Sequence, residues 1–273
     1  MNPDQLQPEV SDAVDFVRTL CDLKPQVAII LGSGLGGLAD LISDATAIPF
    51  GSIPGFRTSS ASGHRGQLIL GQLERIPVIA MAGRLHRYEG WTNDEIAFPL
   101  QVMSALGANR LIVSNAAGGV NPKLRVGDIV VIRDHINWMG GGFRWNRNFD
   151  VLAPYRTELY DEEMSKLAIR TAVAQNFNAY EGSYLATLGP TYETRSEYRM
   201  MRKIGADVAG MSTVPEVLAA SRLNMRILGL SMVSNVASPD IAVSANHQEV
   251  LEAGKAAEVK MEGIVRGVLS SLH

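Results

Sequence analysis

Val27-Ala28-Ile29-Ile30-Leu31-Gly32-Ser33-Gly34-Leu35-Gly36-Gly37 passes from five consecutive apolar residues straight into a turn of glycines. An uninterrupted apolar run of strand length belongs to a strand buried on both faces, as in parallel sheets covered by helices. The glycines mark a tight strand-to-helix turn, and a helix through Leu38 and Leu41 is expected to follow. The turn matches G-x-G-x-x-G at Gly32, Gly34 and Gly37, the pattern of a dinucleotide site. Such a site also needs an acid about 20 residues on to hold a ribose, and residues 47–60 contain no Asp or Glu. Two readings remain. The glycines serve conformation alone, or their backbone N–H groups cradle an anion around the Ser33 hydroxyl.

The same alternation continues on both sides of this stretch. Upstream, Val10, Val14, Val17, Leu20 and Cys21 fall at helical spacing, which places Cys21 on a buried helix face. Downstream, strands are expected at 47–50, at 67–73 and 76–81 as a hairpin around Glu74-Arg75, and at 111–114, 129–132, 184–188, 208–210 and 226–233. Helices are expected from a Thr92 cap to Leu106, then at 162–173, 194–204 and 214–223. A last one runs through Val250, Ala257, Met261, Ile264, Val268 and Leu272. No repeat or linker interrupts the pattern, so residues 1–273 read as a single α/β domain around a mostly buried sheet. Residues 138–154 have neither period. Their aromatics and arginines suit a long surface loop ordered against a neighbouring chain.

Composition excludes several classes. The formal charge is −3, with 25 basic against 28 acidic residues, and no basic run offers a nucleic-acid surface. No apolar run approaches the roughly 20 residues of a membrane span. Met1-Asn2-Pro3-Asp4-Gln5 has an acid and no basic region, unlike a signal peptide. The single Cys21 cannot form an intrachain disulfide, which fits a reducing, cytoplasmic setting.

The chemistry collects in loops at strand carboxyl ends, where open α/β sheets hold ligands. Gly83-Arg84-Leu85-His86-Arg87-Tyr88-Glu89-Gly90 follows the 76–81 strand. Arg84 and His86, two apart, project to one side if extended and suit an oxyanion. Ser33, the Ala116 backbone N–H and Ser212 are further anion donors, with His64 in a small polar loop. Tyr88, Tyr192, Met211 and His247 are flat or apolar groups suited to a sugar face. Glu193 and Asn235 offer a carboxylate and a carboxamide able to read a heterocycle's edge. Nothing resembles a Cys/His or carboxylate cluster at metal-ligand spacing, so no cofactor is expected.

Gly32 to Gly36, Gly83 to Gly90, Asn115-Ala116-Ala117-Gly118, Gly189-Pro190-Thr191-Tyr192-Glu193-Thr194, Gly210-Met211-Ser212-Thr213-Val214-Pro215-Glu216-Val217 and Asn246-His247 occur in one order. That set resembles the trimeric purine nucleoside phosphorylases over roughly residues 10–270. The resemblance implies a mixed central sheet with a small barrel-like sheet, flanked by helices and assembled as a homotrimer. It implies phosphorolysis of purine nucleosides, with inorganic phosphate as co-substrate. Ser33, His64, Arg84, His86, Ala116 and Ser212 then correspond to the phosphate site, and Tyr88, Tyr192, Met211 and His247 to the sugar site. Ala117, Gly118, Tyr192, Glu193, Ser234 and Asn235 correspond to the purine site. His86, Glu193 and Asn235 are the groups implied to act in the reaction itself.

One segment departs from the family pattern. Where the family carries a phenylalanine that closes a neighbour's sugar site, the chain reads Trp138-Met139-Gly140-Gly141-Gly142-Phe143. Phe143, Phe149 and Tyr155 are the candidate replacements. A methylthioadenosine or xanthosine phosphorylase of the same fold, and a nucleoside-binding protein without chemistry, are the rival readings.

Overall fold

In the computed structural model, residues 7–32, 36–58, 65–140, 158–236 and 247–272 are described, with side chains in the last segment from Ala257 onward. The stretch around Val27 forms β1 (Val27–Leu31), buried at every position. It pairs in parallel with β4 (Ile76–Ala82) on one side and β5 (Arg110–Gly119) on the other. Side chains alternate across a strand, and β1 obeys that rule. Ala28 and Ile30 enter one core, while Val27, Ile29 and Leu31 enter the other. Burying each large aliphatic side chain is worth about 1.5–3 kcal/mol, so a strand with both faces apolar has to sit between layers.

The first layer is made by α1 (Pro8–Leu20), α2 (Asn93–Leu106) and α5 (Val214–Arg222). Val10, Val14 and Val17 of α1 and Leu100 and Met103 of α2 pack there with Val217 of α5. The second layer is α3 (Glu162–Ala174) with α6 (His247–Ser270), through Met164, Ala168, Met261, Ile264 and Val268. The predicted Thr92 cap is present. Its hydroxyl accepts from Glu95 N at 3.2 Å, and Glu95 Oε2 accepts from Thr92 N at 2.9 Å. These reciprocal bonds satisfy backbone donors that a helix start leaves open.

The sheet has nine strands. The remaining strands are β2 (Ser43–Pro49), β3 (Gln67–Leu73), β6 (Ile129–Asn137), β7 (Ala179–Ala186), β8 (Val208–Gly210) and β9 (Arg226–Val236). The order is β2-β3-β4-β1-β5-β8-β7-β6-β9, and β9 pairs back onto β5. Strands β5, β8, β7, β6 and β9 therefore close a five-stranded barrel that shares β5 with the open sheet. The mixed sheet with its small barrel is the architecture implied by the resemblance. α4 (Arg195–Lys203) lies between β7 and β8.

The helix expected through Leu38 and Leu41 is present as a six-residue 3₁₀ helix, Gly36–Leu41. Other local expectations need correction. Cys21 is the C-cap of α1 and only half-buried, because α1 ends one residue earlier. β5 continues five residues past Ser114, since small residues let its backbone stay paired with β9 through Gly119. The loop at 138–154 lies mostly outside the described residues, and Phe143, Phe149 and Tyr155 all fall there.

Candidate active site

The carboxyl ends of β4, β5 and β9 and the turns after β7 and β8 surround one cavity of about 280 Å³. That is just under the roughly 300–1,000 Å³ usual for small-molecule sites. Every predicted site residue whose side chain is described lines it: Arg84, His86 and Tyr88 after β4, Ala116, Ala117 and Gly118 on β5, and Ser234 and Asn235 on β9. Tyr192 and Glu193 approach after β7, and Met211 and Ser212 after β8. Ser33 and His64 lie outside the described residues, as does the side chain of His247 at the first position of α6.

Arg84 is 2 % exposed and forms the cationic end. Its NH1 donates to Ser212 Oγ at 2.7 Å and to Thr213 Oγ1 at 3.1 Å, and its Nε lies 3.3 Å from Glu216 Oε1. Glu216 is 3 % exposed. A charge this deep requires a partner and hydrogen bonds; Glu216 is the charge partner of Arg84, and Ser212 and Thr213 accept from its NH1. Thr213 also accepts from Asn115 Nδ2 at 2.9 Å, while Asn115 Oδ1 accepts from Ser231 Oγ at 2.8 Å. The Tyr184 hydroxyl accepts from Ser212 N at 3.3 Å. Thr213 has φ +72°. A β-branched residue there costs on the order of 1–3 kcal/mol, and this buried network holds it.

His86 and Tyr88 stack with ring centres 4.7 Å apart. Glu89 Oε1 lies 2.9 Å from His86 Nδ1 and accepts from His86 N at 2.9 Å. The imidazole is thereby fixed in rotation with Nε2 as its remaining ring nitrogen. Burial raises the Tyr88 phenol above its usual range, the Glu89 charge adds to this, and Arg84 opposes it.

The opposite end is built by a bulge. Ala117 pairs with Val233, but Gly118 pairs with Asn235, leaving Ser234 as an extra residue in β9. Such a bulge re-aims the side chains that follow it. Ser234 Oγ donates to Asn235 Oδ1 at 3.0 Å, so the amide presents its nitrogen as the group to meet a base. A Cβ on Gly118 would lie 3.4 Å from that nitrogen, and glycine leaves room for a flat ligand. Glu193 receives the Thr187 hydroxyl at 3.0 Å. Burial, then the Glu193 charge and hydrogen bond, push the Tyr198 phenol well above its usual range. Tyr192 is 78 % exposed at the mouth.

Sequence reasoning gave no role to Asn115, Thr213, Glu216, Tyr184, Thr187 or Tyr198. Glu216 carried a usable signal, a lone carboxylate in the apolar run Val214-Pro215-Glu216-Val217-Leu218, because a buried charge needs a counterpart. Among the described residues, no group of three or more His, Cys, Asp or Glu is placed to hold a metal ion. No described helix is long and apolar enough to cross a membrane.

The chain matches the family model described as the phosphorylase superfamily over residues 26–270. It is 42 % identical over 266 residues to purine nucleoside phosphorylase 1 of Geobacillus stearothermophilus, covering 96 % of this chain and 97 % of that one. The Schistosoma mansoni purine nucleoside phosphorylase in complex with adenosine superposes with a TM-score of 0.87 and 36 % identity, covering 97 % of each chain. A Schistosoma mansoni purine nucleoside phosphorylase in complex with inosine gives a TM-score of 0.87 and 35 % identity, covering 97 % of this chain and 96 % of that one.

Proposed function

The chain belongs to the phosphorylase superfamily, and from that premise we propose that it cleaves 6-oxopurine nucleosides with inorganic phosphate. The supporting observation is the polarity of the cavity, with Arg84, His86 and Ser212 at one end and Glu193 and Asn235 at the other. A dianion fits the first end, and a purine edge with both donor and acceptor groups fits the second. Tyr88 and Met211 also line the cavity and are assigned to the sugar in this reading, and Ser33, His64 and His247 complete the proposed set.

The chemistry follows from that polarity. The C1′–N9 bond breaks with its electron pair going to the purine, and a phosphate oxygen forms the new bond to C1′. The products are a pentose 1-phosphate and the free base, which gains a proton in place of the sugar. Phosphate held beneath an oxocarbenium-like sugar stabilises its charge and is already positioned to attack. Asn235 donates to N7 as negative charge builds there, and Glu193 accepts from N1–H. A 6-amino purine lacks that N1–H and leaves the carboxylate mismatched. Such a mismatch discriminates by roughly 10⁴-fold.

The test is release of free base from inosine, guanosine, xanthosine, methylthioadenosine and adenosine, each with and without phosphate. Phosphate-dependent cleavage of inosine and guanosine, with adenosine poor, is the expected result. Tight binding without turnover would instead favour a nucleoside-binding protein, and adenosine matching inosine would remove the base-reading role. We further propose a cytoplasmic homotrimer, a reading supported by the family resemblance. The exposed Trp138, Leu188 and Tyr192 suit its contacts, and light scattering gives the mass.

A further inference from the structure

Glu193 sits in the turn between β7 and α4, flanked by the exposed residues Tyr192 and Thr194. A carboxylate on such a turn loses about 1.5–2 kcal/mol of rotamer entropy when a ligand fixes it, unless the protein has fixed it first. Thr187 is placed to do so. Its backbone N–H donates to Gly210 O at 2.8 Å, which ties it to the end of β8. Its hydroxyl then has two acceptors in range, Glu193 Oε1 at 3.0 Å and Gly210 O at 3.4 Å. One hydroxyl supplies one proton. The shorter contact goes to the charged acceptor, the type of hydrogen bond that is shorter and roughly twice as strong as a neutral one.

We propose that Thr187 is a positioning residue for base recognition, holding Glu193 Oε1 so that Oε2 is aimed at the purine N1–H. This rests on the phosphorolysis reading for the identity of the base, but the contact itself does not depend on turnover. The Tyr198 phenol, in the first half of α4, is near enough to the same carboxylate for the Glu193 charge to raise it, so Glu193 has neighbours both at the end of β7 and on α4. Pre-organisation of this kind improves affinity by lowering the ordering cost of binding.

The test compares ligands with and without an N1–H. Hypoxanthine carries one and unsubstituted purine does not, and calorimetry reads the binding of each to the full chain. Thr187→Val keeps the shape and removes the hydroxyl. It should weaken hypoxanthine about tenfold, the usual effect of losing one hydrogen bond to a charged group, and leave purine unchanged. Thr187→Ser should restore hypoxanthine binding. In turnover, Thr187→Val should raise KM for inosine while KM for phosphate stays the same. Equal weakening of both bases would reduce Thr187 to a structural residue, and unchanged hypoxanthine binding would overturn the proposal. Should Thr187→Val fail to fold, Thr187→Ala carries the same comparison. A wild-type chain that binds hypoxanthine but shows no phosphate-dependent cleavage would end the phosphorolysis reading. The difference between the two bases would still decide the role of Thr187.

Discussion

Asn235 owes its orientation to the single extra residue beside it. The Ser234 hydroxyl holds Oδ1 at 3.0 Å, and the bulge at Ser234 turns the pair toward Gly118. Asn235→Asp exchanges the N–H donor for a second acceptor. Removing one donor from developing charge costs about 10²–10³-fold in rate, so kcat/KM for inosine should fall by that order and the gap to adenosine should narrow. Steady-state kinetics on both nucleosides check this, and an unchanged ratio would mean that residue 235 does not read the base. Glu89 permits a similar test at the other end. Its carboxylate meets both His86 Nδ1 and His86 N, so Glu89→Gln should raise KM for phosphate about tenfold and leave KM for nucleoside alone. If neither KM for phosphate nor kcat moves, Glu89 is only structural.

At the scale of elements, the three-residue β8 shows how closely the barrel strands approach one another. Ala186 of β7 pairs with Gly210 of β8, and a Cβ at position 210 would lie 2.5 Å from the Tyr184 hydroxyl oxygen. The Tyr184 side chain is wholly buried and cannot swing aside, and its oxygen is the acceptor for Ser212 N. Gly210→Ala should therefore overpack the barrel, costing about 1–3 kcal/mol in urea unfolding, and should displace Ser212 and weaken phosphate binding as well. Full stability with normal phosphate KM would show that Tyr184 can relax. The sequence made this element readable as a short apolar run before a turn, but not its neighbours. Strands such as β1 declare burial on both faces through composition, whereas β8 depends on partners far along the chain. The same limit hid Thr187, which reads as one more threonine until β8 fixes its backbone beside Glu193.

For the whole molecule, the alternation of strands and helices was legible because each element buries a periodic face. Barrel closure by β9 returning to β5 was not, because it is a property of pairing and not of any one strand's residues. It was available only through the family resemblance. The start of α3 shows what ties β9 to the helix layer beside it. Asp161 caps α3 by accepting from Met164 N at 2.9 Å, and its own N–H donates to Ile227 O of β9 at 2.8 Å. Its carboxylate takes both ends of the Arg226 guanidinium, Nε at 2.6 Å and NH2 at 2.9 Å. The Arg226 hydrogen bond holds the Asp161 carboxyl below its usual range, with the Met164 backbone bond adding to it and burial opposing. A carboxyl depressed in the folded state stabilises the fold above its unfolded pKa, and that contribution is lost as pH falls through the folded value. Arg226 is 40 % exposed, so solvent screening keeps the pair to about 1 kcal/mol or less. Asp161→Asn preserves a good N-cap, removes the charge and turns one of the two oxygens that accept from Arg226 into a donor. The variant should melt below the wild type near neutral pH, and the difference should shrink as pH falls through the depressed pKa of the folded carboxyl, where the wild type loses its charge too. A difference that persists in acid would place the effect in the cap and hydrogen-bond geometry, and no difference at neutral pH would mean that the pair does not stabilise the fold.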